Sequence, residues 1–270
     1  MKIIFIGAGN MASALIGGLI KNGMDATSIL AVDPSEQTRR ACCELHGVVV
    51  SADLHDIVVG DADVVVLAIK PQLLKQVASE LSDRVRRALI ISVAAGIRLA
   101  NISAWLGGHS RIVRAMPNTP AQIGLGVTGL AAMSEVSPED RSLAERILGS
   151  AGKTIWVSDD RGLDVVTAVS GSGPAYVFYF IEALQKAAQD LGLEQESAHL
   201  LAVTTFVGAA QLAANSEESP TVLREKVTSK GGTTAAAIDA FNANHLATGI
   251  GIGVSAACQR AVVLGDELGA

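Results

Sequence analysis

Over residues 1–160 short apolar runs alternate with stretches whose apolar positions recur at helical spacing, the pattern that βα units of a parallel sheet leave in a sequence. The runs are Ile3 to Ile6, Ile29 to Val32, Val48 to Val50, Val64 to Ile69, Leu89 to Val93, Ile112 to Met116 and Thr154 to Val157. Between them the periodicity predicts helices at about Met11 to Lys21, Glu36 to Leu45, Gln72 to Leu81, Ala100 to Leu106 and Pro138 to Leu148. The last opens on Ser137-Pro138-Glu139-Asp140, a capping serine, a proline at the first helical position and acids in the first turn. After Asp159-Asp160 the strand signals stop. Residues 161–270 read as five or six helices with polar breaks at Ser170 to Pro174, Gly192, Ser216 to Pro220 and Ser229 to Gly232. The predicted class is α/β: a doubly wound parallel sheet over residues 1–160 followed by an all-helical domain over 161–270.

Composition sharpens the second half. Apolar residues make up 49% of the chain, only 2 Trp, 2 Tyr and 5 Phe are aromatic, and 18% of residues are charged. So little charge leaves the helical half unable to cover its apolar faces alone, and either lipid or another chain must cover them. Ser197 to Ser216 and Ala240 to Gln259 lack formal charge. The first contains His199, Thr204, Thr205 and Gln211, and the second Asn242, Asn244, His245, Thr248 and Ser255, so neither gives the roughly 18 to 20 clean apolar residues of a membrane span. These helices are expected to pack against a second copy of the chain, with no membrane partner. The first residues read as a strand running into a glycine turn, too short in apolar run for a signal peptide. A net charge of −6, with no basic run longer than Arg39-Arg40 or Arg86-Arg87, gives no footprint for nucleic acid. Cys42, Cys43 and Cys258 fit no zinc spacing and read as small apolar residues of a reduced, intracellular protein.

Candidate chemistry begins at Gly7-Ala8-Gly9-Asn10-Met11-Ala12, a G-x-G-x-x-A run directly after the first strand and before a helix. The first glycine allows the tight turn, the second lets backbone approach a pyrophosphate, Ala12 keeps helix close to sheet, and the helix start offers free N–H groups. The bland alternative is a turn without a ligand. Asp33 ends the second strand, where a carboxylate accepts from a ribose 2′-OH and repels a 2′-phosphate, which argues for NAD. Arg39 and Arg40, one turn into the next helix, either reach such a phosphate or form a solvated face, so the residues leave NADH and NADPH both open. Lys70 stands at the carboxyl end of a buried strand, as a general acid, a charge contact to cofactor, or a surface lysine. Ser92 to Gly96 and Met116 to Pro120 end two further strands with small residues. In the helical half, Ser170 to Tyr176 and Ser229 to Ala235 put glycines and hydroxyls before helices, suited to an anion or to capping alone. No nucleophile triad, carboxylate pair or metal-ligand spacing stands out, and His46, His55, His109, His199 and His245 are scattered. Hydride transfer to an already electrophilic centre needs orientation more than acid-base side chains.

In combination these motifs resemble the Δ1-pyrroline-5-carboxylate reductase family. The matching stretches are Phe5 to Ala12, Ala68-Ile69-Lys70-Pro71, Ser92 to Gly96, Arg114 to Pro120, Val169 to Tyr176 and Leu223 to Phe241, the last with its Gly231-Gly232-x-Thr234 core. The resemblance implies a Rossmann-type domain followed by a helical dimerisation domain, often within a decamer of five dimers, in the cytoplasm. It implies reduction of (S)-1-pyrroline-5-carboxylate to L-proline by hydride transfer from NADPH or NADH. Cofactor is then expected on Gly7, Ala8, Gly9, Asn10, Met11 and Ala12, beside Asp33 and Arg39, on Ala68, Ile69, Lys70 and Pro71, on Val93, Ala94 and Ala95, and at Asn118. Substrate is expected on Ser229, Lys230, Gly231, Gly232, Thr233 and Thr234, with Thr234 as the catalytic hydroxyl near the ring nitrogen or carboxylate and no metal. Lys230 stands where many members carry Pro, and Asp33 where many NADPH-preferring members carry small hydroxyl residues. Three other readings compete. One is reduction of a six-membered cyclic imine; another is a β-hydroxyacid dehydrogenase using Lys186 on the helix after Gly173-Pro174; the last is a non-enzymatic nucleotide sensor or scaffold.

Overall fold

The computed structural model describes residues 1–85 and 87–269, leaving Arg86 of the Arg86-Arg87 pair and Ala270 outside the described residues. Eight strands form one sheet in the order β3-β2-β1-β4-β5-β6-β7-β8. They are β1 (Ile3–Ile6), β2 (Ile29–Val32), β3 (Val49–Ser51), β4 (Val64–Leu67), β5 (Leu89–Ser92), β6 (Ile112–Met116), β7 (Gly126–Ala132) and β8 (Gly152–Trp156). Every residue of β1, β4 and β5 is buried, as strands covered on both faces require. Alternate residues feed two cores: Ile3 and Phe5 join the cluster under one layer of helices, Ile4 and Ile6 the cluster under the other. In register, Ile6 lies opposite both Val32 and Leu67, and Leu67 opposite Ser92. The four strands therefore end level, and the loops after them emerge along one edge at the point where β1 is flanked by β2 and β4.

The connecting helices are α1 (Asn10–Lys21), α2 (Glu36–His46), α3 (Pro71–Leu81), α4 (Leu99–Trp105) and α5 (Pro138–Leu148), and Ser137 caps α5 by accepting from the Asp140 amide. The sheet departs from the expected all-parallel form at β7, a strand the apolar pattern does not reveal. The link from Met116 to Gly126 contains only a short 3₁₀ turn, too short for a crossover, so β7 pairs antiparallel with β6. Its glycines hide it and are required there: a Cβ on Gly126 would lie 2.8 Å from the Ala121 Cα, and one on Gly129 2.7 Å from a Val166 methyl.

Six helices complete the chain: α6 (Asp160–Val166), α7 (Gly173–Asp190), α8 (Gln195–Ala214), α9 (Pro220–Lys226), α10 (Thr233–Ala243) and α11 (Leu246–Gly269). Two compact units result, Met1–Ser172 with the segment from Ala257 onward, and Gly173–Ala256. The first unit takes in α6 and the end of α11, for two physical reasons. Leu163 and Val166 of α6 fill the second core cluster, and Leu268, near the chain's end, packs against the same cluster. In the second unit α7 packs along α8, yet α7, α9 and α10 bury no residue in the isolated chain and α8 buries only Ala198 and Ala202. Phe178 is 66% and Leu212 72% exposed. By length and composition, Gln195–Ala214 and Leu246–Gly269 are long and apolar enough to cross a membrane.

Candidate active site

The first unit presents a glycine turn at the level ends of β2, β1, β4 and β5. Gly7 takes φ +96° as the chain leaves β1, and its N–H donates to the Val32 carbonyl at 2.7 Å. A Cβ there would lie 2.4 Å from the Ala68 carbonyl oxygen, so only glycine turns at this point. Gly9 is the N-cap of α1, supplies no capping side chain, and would have nothing within 4 Å of an added Cβ. The start of α1, with Asn10, Met11 and Ala12 in its first turn, thus faces open space with the unpaired N–H groups that phosphate oxygens take. Ala12 is buried against the sheet and Met11 packs beside the same core.

Asp33 is committed internally. One carboxylate oxygen accepts from the buried Ala8 N–H at 3.0 Å and the other from the Ser35 N–H at 2.9 Å, bracing the glycine loop against the turn after β2. Arg39 donates Nη1 to the carbonyls of Asp33 (2.7 Å) and Pro34 (2.8 Å), which holds its guanidinium over that turn. Arg40 instead pairs with Glu44 at 2.7 Å on an exposed helix face. The two arginines therefore differ in placement: Arg39 lies on the turn after β2, and Arg40 on the exposed face of α2.

Ala68 is tied to β1 by its N–H to the Ile6 carbonyl at 2.8 Å, and the exposed Lys70 is the N-cap residue of α3, with Pro71 at its first position. The Val93 N–H donates to the Leu67 carbonyl at 3.1 Å, Ala94 is buried and Ala95 exposed at the edge. Asn118 is engaged by its own protein: its Nδ2 donates to the Ser170 carbonyl at 3.1 Å and its Oδ1 accepts from the Val127 N–H at 3.0 Å. Residues Thr167–Gly171, which run into the polar break expected at Ser170 to Pro174, form a π turn in which the Ser170 hydroxyl donates back to the Val166 carbonyl at 3.0 Å.

Beneath this edge lies a charge cluster that sequence reading missed. Arg114 is 2% exposed and places Nη1 2.5 Å from an Asp160 oxygen, while the other Asp160 oxygen accepts from the Leu99 N–H at 3.1 Å. Arg98 reaches Asp266 at 3.1 Å and Asp164 at 3.5 Å. Burial pushes the Asp164 carboxyl above its ordinary range, outweighing the pull of Arg114 and Arg98. Arg114 was visible in the sequence only as part of a motif, and Asp160 only as the point where strand signals stop.

In the second unit Ser229, Lys230, Gly231 and Gly232 form the turn into α10. Gly231 has φ +74°, the Gly232 N–H donates to the Ser229 carbonyl at 3.0 Å, and Gly232 is an N-cap without a capping side chain. A Cβ on Gly232 would meet the Ser229 hydroxyl at 2.7 Å. Thr233 and Thr234 are exposed in the first turn of this 11-residue helix, which carries no acidic residue there to compete with an anion. Lys186 is exposed and bound to Asp190 at 2.6 Å on its own helix. Among the described residues no group of three or more His, Cys, Asp or Glu could hold a metal ion.

Two family profiles match the chain: pyrroline-5-carboxylate reductase dimerisation over residues 160–264 and NADP oxidoreductase, coenzyme F420-dependent, over residues 2–96. The chain is 45% identical over 270 residues to a pyrroline-5-carboxylate reductase of Pseudomonas aeruginosa, covering 99% of this chain and 98% of that one. It is similar in structure to a pyrroline-5-carboxylate reductase from Coxiella burnetii, with TM-score 0.93, 43% identity and coverage of 97% and 98%. The Plasmodium falciparum pyrroline carboxylate reductase with NADP bound superposes with TM-score 0.85 at 26% identity, each chain covered to 98%. With relatives this similar over nearly its whole length, and with both its halves matched, the chain belongs to the pyrroline-5-carboxylate reductase family.

Proposed function

We propose that this chain reduces (S)-1-pyrroline-5-carboxylate to L-proline with NADPH as the reductant, the final step of proline biosynthesis. The observation that carries the reading is the presence in one chain of an uncapped α1 start behind Gly7 and Gly9 and an uncapped α10 start behind Gly231 and Gly232. The first suits a pyrophosphate, the second a small carboxylate. The free N–H groups of α1 bind the cofactor's phosphates, Asp33 keeps the glycine loop in shape from behind, and Arg39 offers its remaining N–H groups to a ribose 2′-phosphate. Ala68, Ile69, Lys70 and Pro71 and the small residues Val93, Ala94 and Ala95 shape the strand-end edge, and Asn118 braces its far side against Ser170. When bound, the cofactor supplies a hydride to C5 of the cyclic imine.

The turn of Ser229, Lys230, Gly231 and Gly232, closed by the Gly232 N–H on the Ser229 carbonyl, brings the N–H groups that open α10 at Thr233 and Thr234 to the substrate carboxylate, and the Thr234 hydroxyl hydrogen-bonds the ring nitrogen or carboxylate. The imine nitrogen carries its proton from solution, so the ring is already electrophilic and the protein's contribution is chiefly orientation. Lys186 is bound to Asp190 on an exposed face, which supports this reading over an alcohol dehydrogenase that would use it. The exposed apolar faces of α8 and α11 pack against a second copy of the chain, with five dimers as a decamer, rather than against lipid or nucleic acid. A reduced, cytoplasmic setting accords with three free cysteines. The test is turnover by the purified protein of five- and six-membered imino acids with NADPH and NADH in parallel. L-proline formed fastest with NADPH is the expected result; preference for the six-membered ring, or no turnover, overturns it.

A further inference from the structure

The end of α11 meets the segment that follows β5 at three successive points. Gly96, with φ +77°, turns the chain back from the sheet edge, and the Leu268 Cδ1 lies 3.0 Å from where a Cβ on Gly96 would stand. Two residues on, the Arg98 guanidinium lies across Gly265, 3.0 Å from its Cβ position, and donates Nη2 to the Val262 carbonyl at 3.3 Å and to Asp266 at 3.1 Å. Its other nitrogen faces the buried Asp164 at 3.5 Å. Finally, the Asn101 Nδ2 donates to the Gly269 carbonyl at 2.8 Å. Within the edge itself, the Ala94 N–H reaches only the Ser92 hydroxyl, at 3.4 Å. A cavity of about 180 Å³ lies between Pro71-Gln72, Ala95-Gly96, Asp164 and Leu268, which gives the loop room to relax if its outer support is withdrawn.

We infer that the end of α11 is a clamp that positions the Val93–Ile97 loop for hydride transfer, with Arg98, Asp266 and Leu268 as positioning residues. The inference rests on the proposed role of Val93, Ala94 and Ala95 as a cofactor loop. A displacement of about 1 Å at a reacting centre costs up to about 10²-fold in rate, so a clamp distant from the chemistry is read in the rate of the hydride step.

The test is the full-length Asp266→Ala/Leu268→Ala variant, assayed for kcat, for the primary isotope effect with 4-deuterated NADPH, and for thermal unfolding. The expected result is about a tenfold fall in kcat with a larger isotope effect, as hydride transfer becomes more rate-limiting, while the protein stays fully folded at the assay temperature even though loss of the Leu268 packing lowers its unfolding temperature. Asp266→Glu, which keeps the pair with Arg98, retains the parent rate. Parent values of kcat and isotope effect, or a fall in kcat matched by loss of folded protein, overturn the clamp. Should the double variant not fold, Asp266→Ala alone is judged by the same criteria. Ala95→Glu separates the underlying assignment: loss of NADPH fluorescence quenching supports the cofactor loop whatever the clamp does, and unchanged NADPH binding removes the loop assignment itself.

Discussion

Asp33 occupies the position where an acid ordinarily reads the ribose 2′-OH, yet both its oxygens accept backbone N–H groups of the protein, from Ala8 and Ser35. Asp33→Asn tests which role governs. An amide has one acceptor oxygen and one NH₂, so whichever N–H faces the NH₂ loses its partner. Ala8 is buried, and its N–H has no access to replacement water. Losing one hydrogen bond to a charged group costs about 1.5 to 3 kcal/mol. For a chain of this size each kcal/mol moves the unfolding temperature by about 2 to 4 °C, so a fall of about 3 to 12 °C is expected. The NADPH to NADH ratio of kcat/KM, measured at saturating imine, changes little because the brace serves both cofactors equally. The reasoning is refuted if melting is unchanged while NADH turnover alone collapses, because that result assigns Asp33 to the ribose and not to the loop.

Thr234→Ala removes the proposed hydroxyl from an exposed first-turn position and is expected to keep folding and NADPH affinity while kcat/KM for the imine falls by about 1.5 to 3 kcal/mol, roughly 10- to 150-fold. An unchanged kcat/KM excludes that role. Gly7→Ala forces a Cβ to 2.4 Å from the Ala68 backbone oxygen at φ +96°, so it costs at least about 1 to 3 kcal/mol of stability and weakens NADPH binding; calorimetry and fluorescence titration read both. Burial lowers the pKa of His46, and of His109 despite its bond to the Ala88 carbonyl. The folded state then binds fewer protons than the unfolded one, so the contribution is fully present above the ordinary value of 6.5 and lost as pH falls below it. His46→Gln/His109→Gln therefore shrinks the fall in unfolding temperature between about pH 7 and pH 5. Asp164, raised by burial, slopes the other way at lower pH, and its contribution cancels when variant and parent are compared.

Legibility in the sequence followed the range of the forces involved. The buried parallel strands and the capped α5 were readable because burial on both faces and a Ser-Pro-acid start are local demands on residue type. β7 was not, because Gly126 and Gly129 answer to close contacts with Ala121 and Val166 that no local pattern shows. Asp33 could be located but not interpreted, since residue type gives a carboxylate and not its direction. Arg98 and Asp266 lie 168 positions apart, and their pairing exists only once α11 has returned to the first unit. The excess of apolar residues is the instructive middle case. A surface that exposes Phe178 and Leu212 in the isolated chain demands a cover, but burial energy is the same for lipid tails and for a protein face, so composition cannot choose between them. Polar side chains on α8 bear on that choice: His199 meets Gln185 at 3.3 Å within the chain, while Thr204, Thr205 and Gln211 add polar groups that a protein face accommodates more readily than hydrocarbon. The dimerisation profile spans these same residues, as that argument requires.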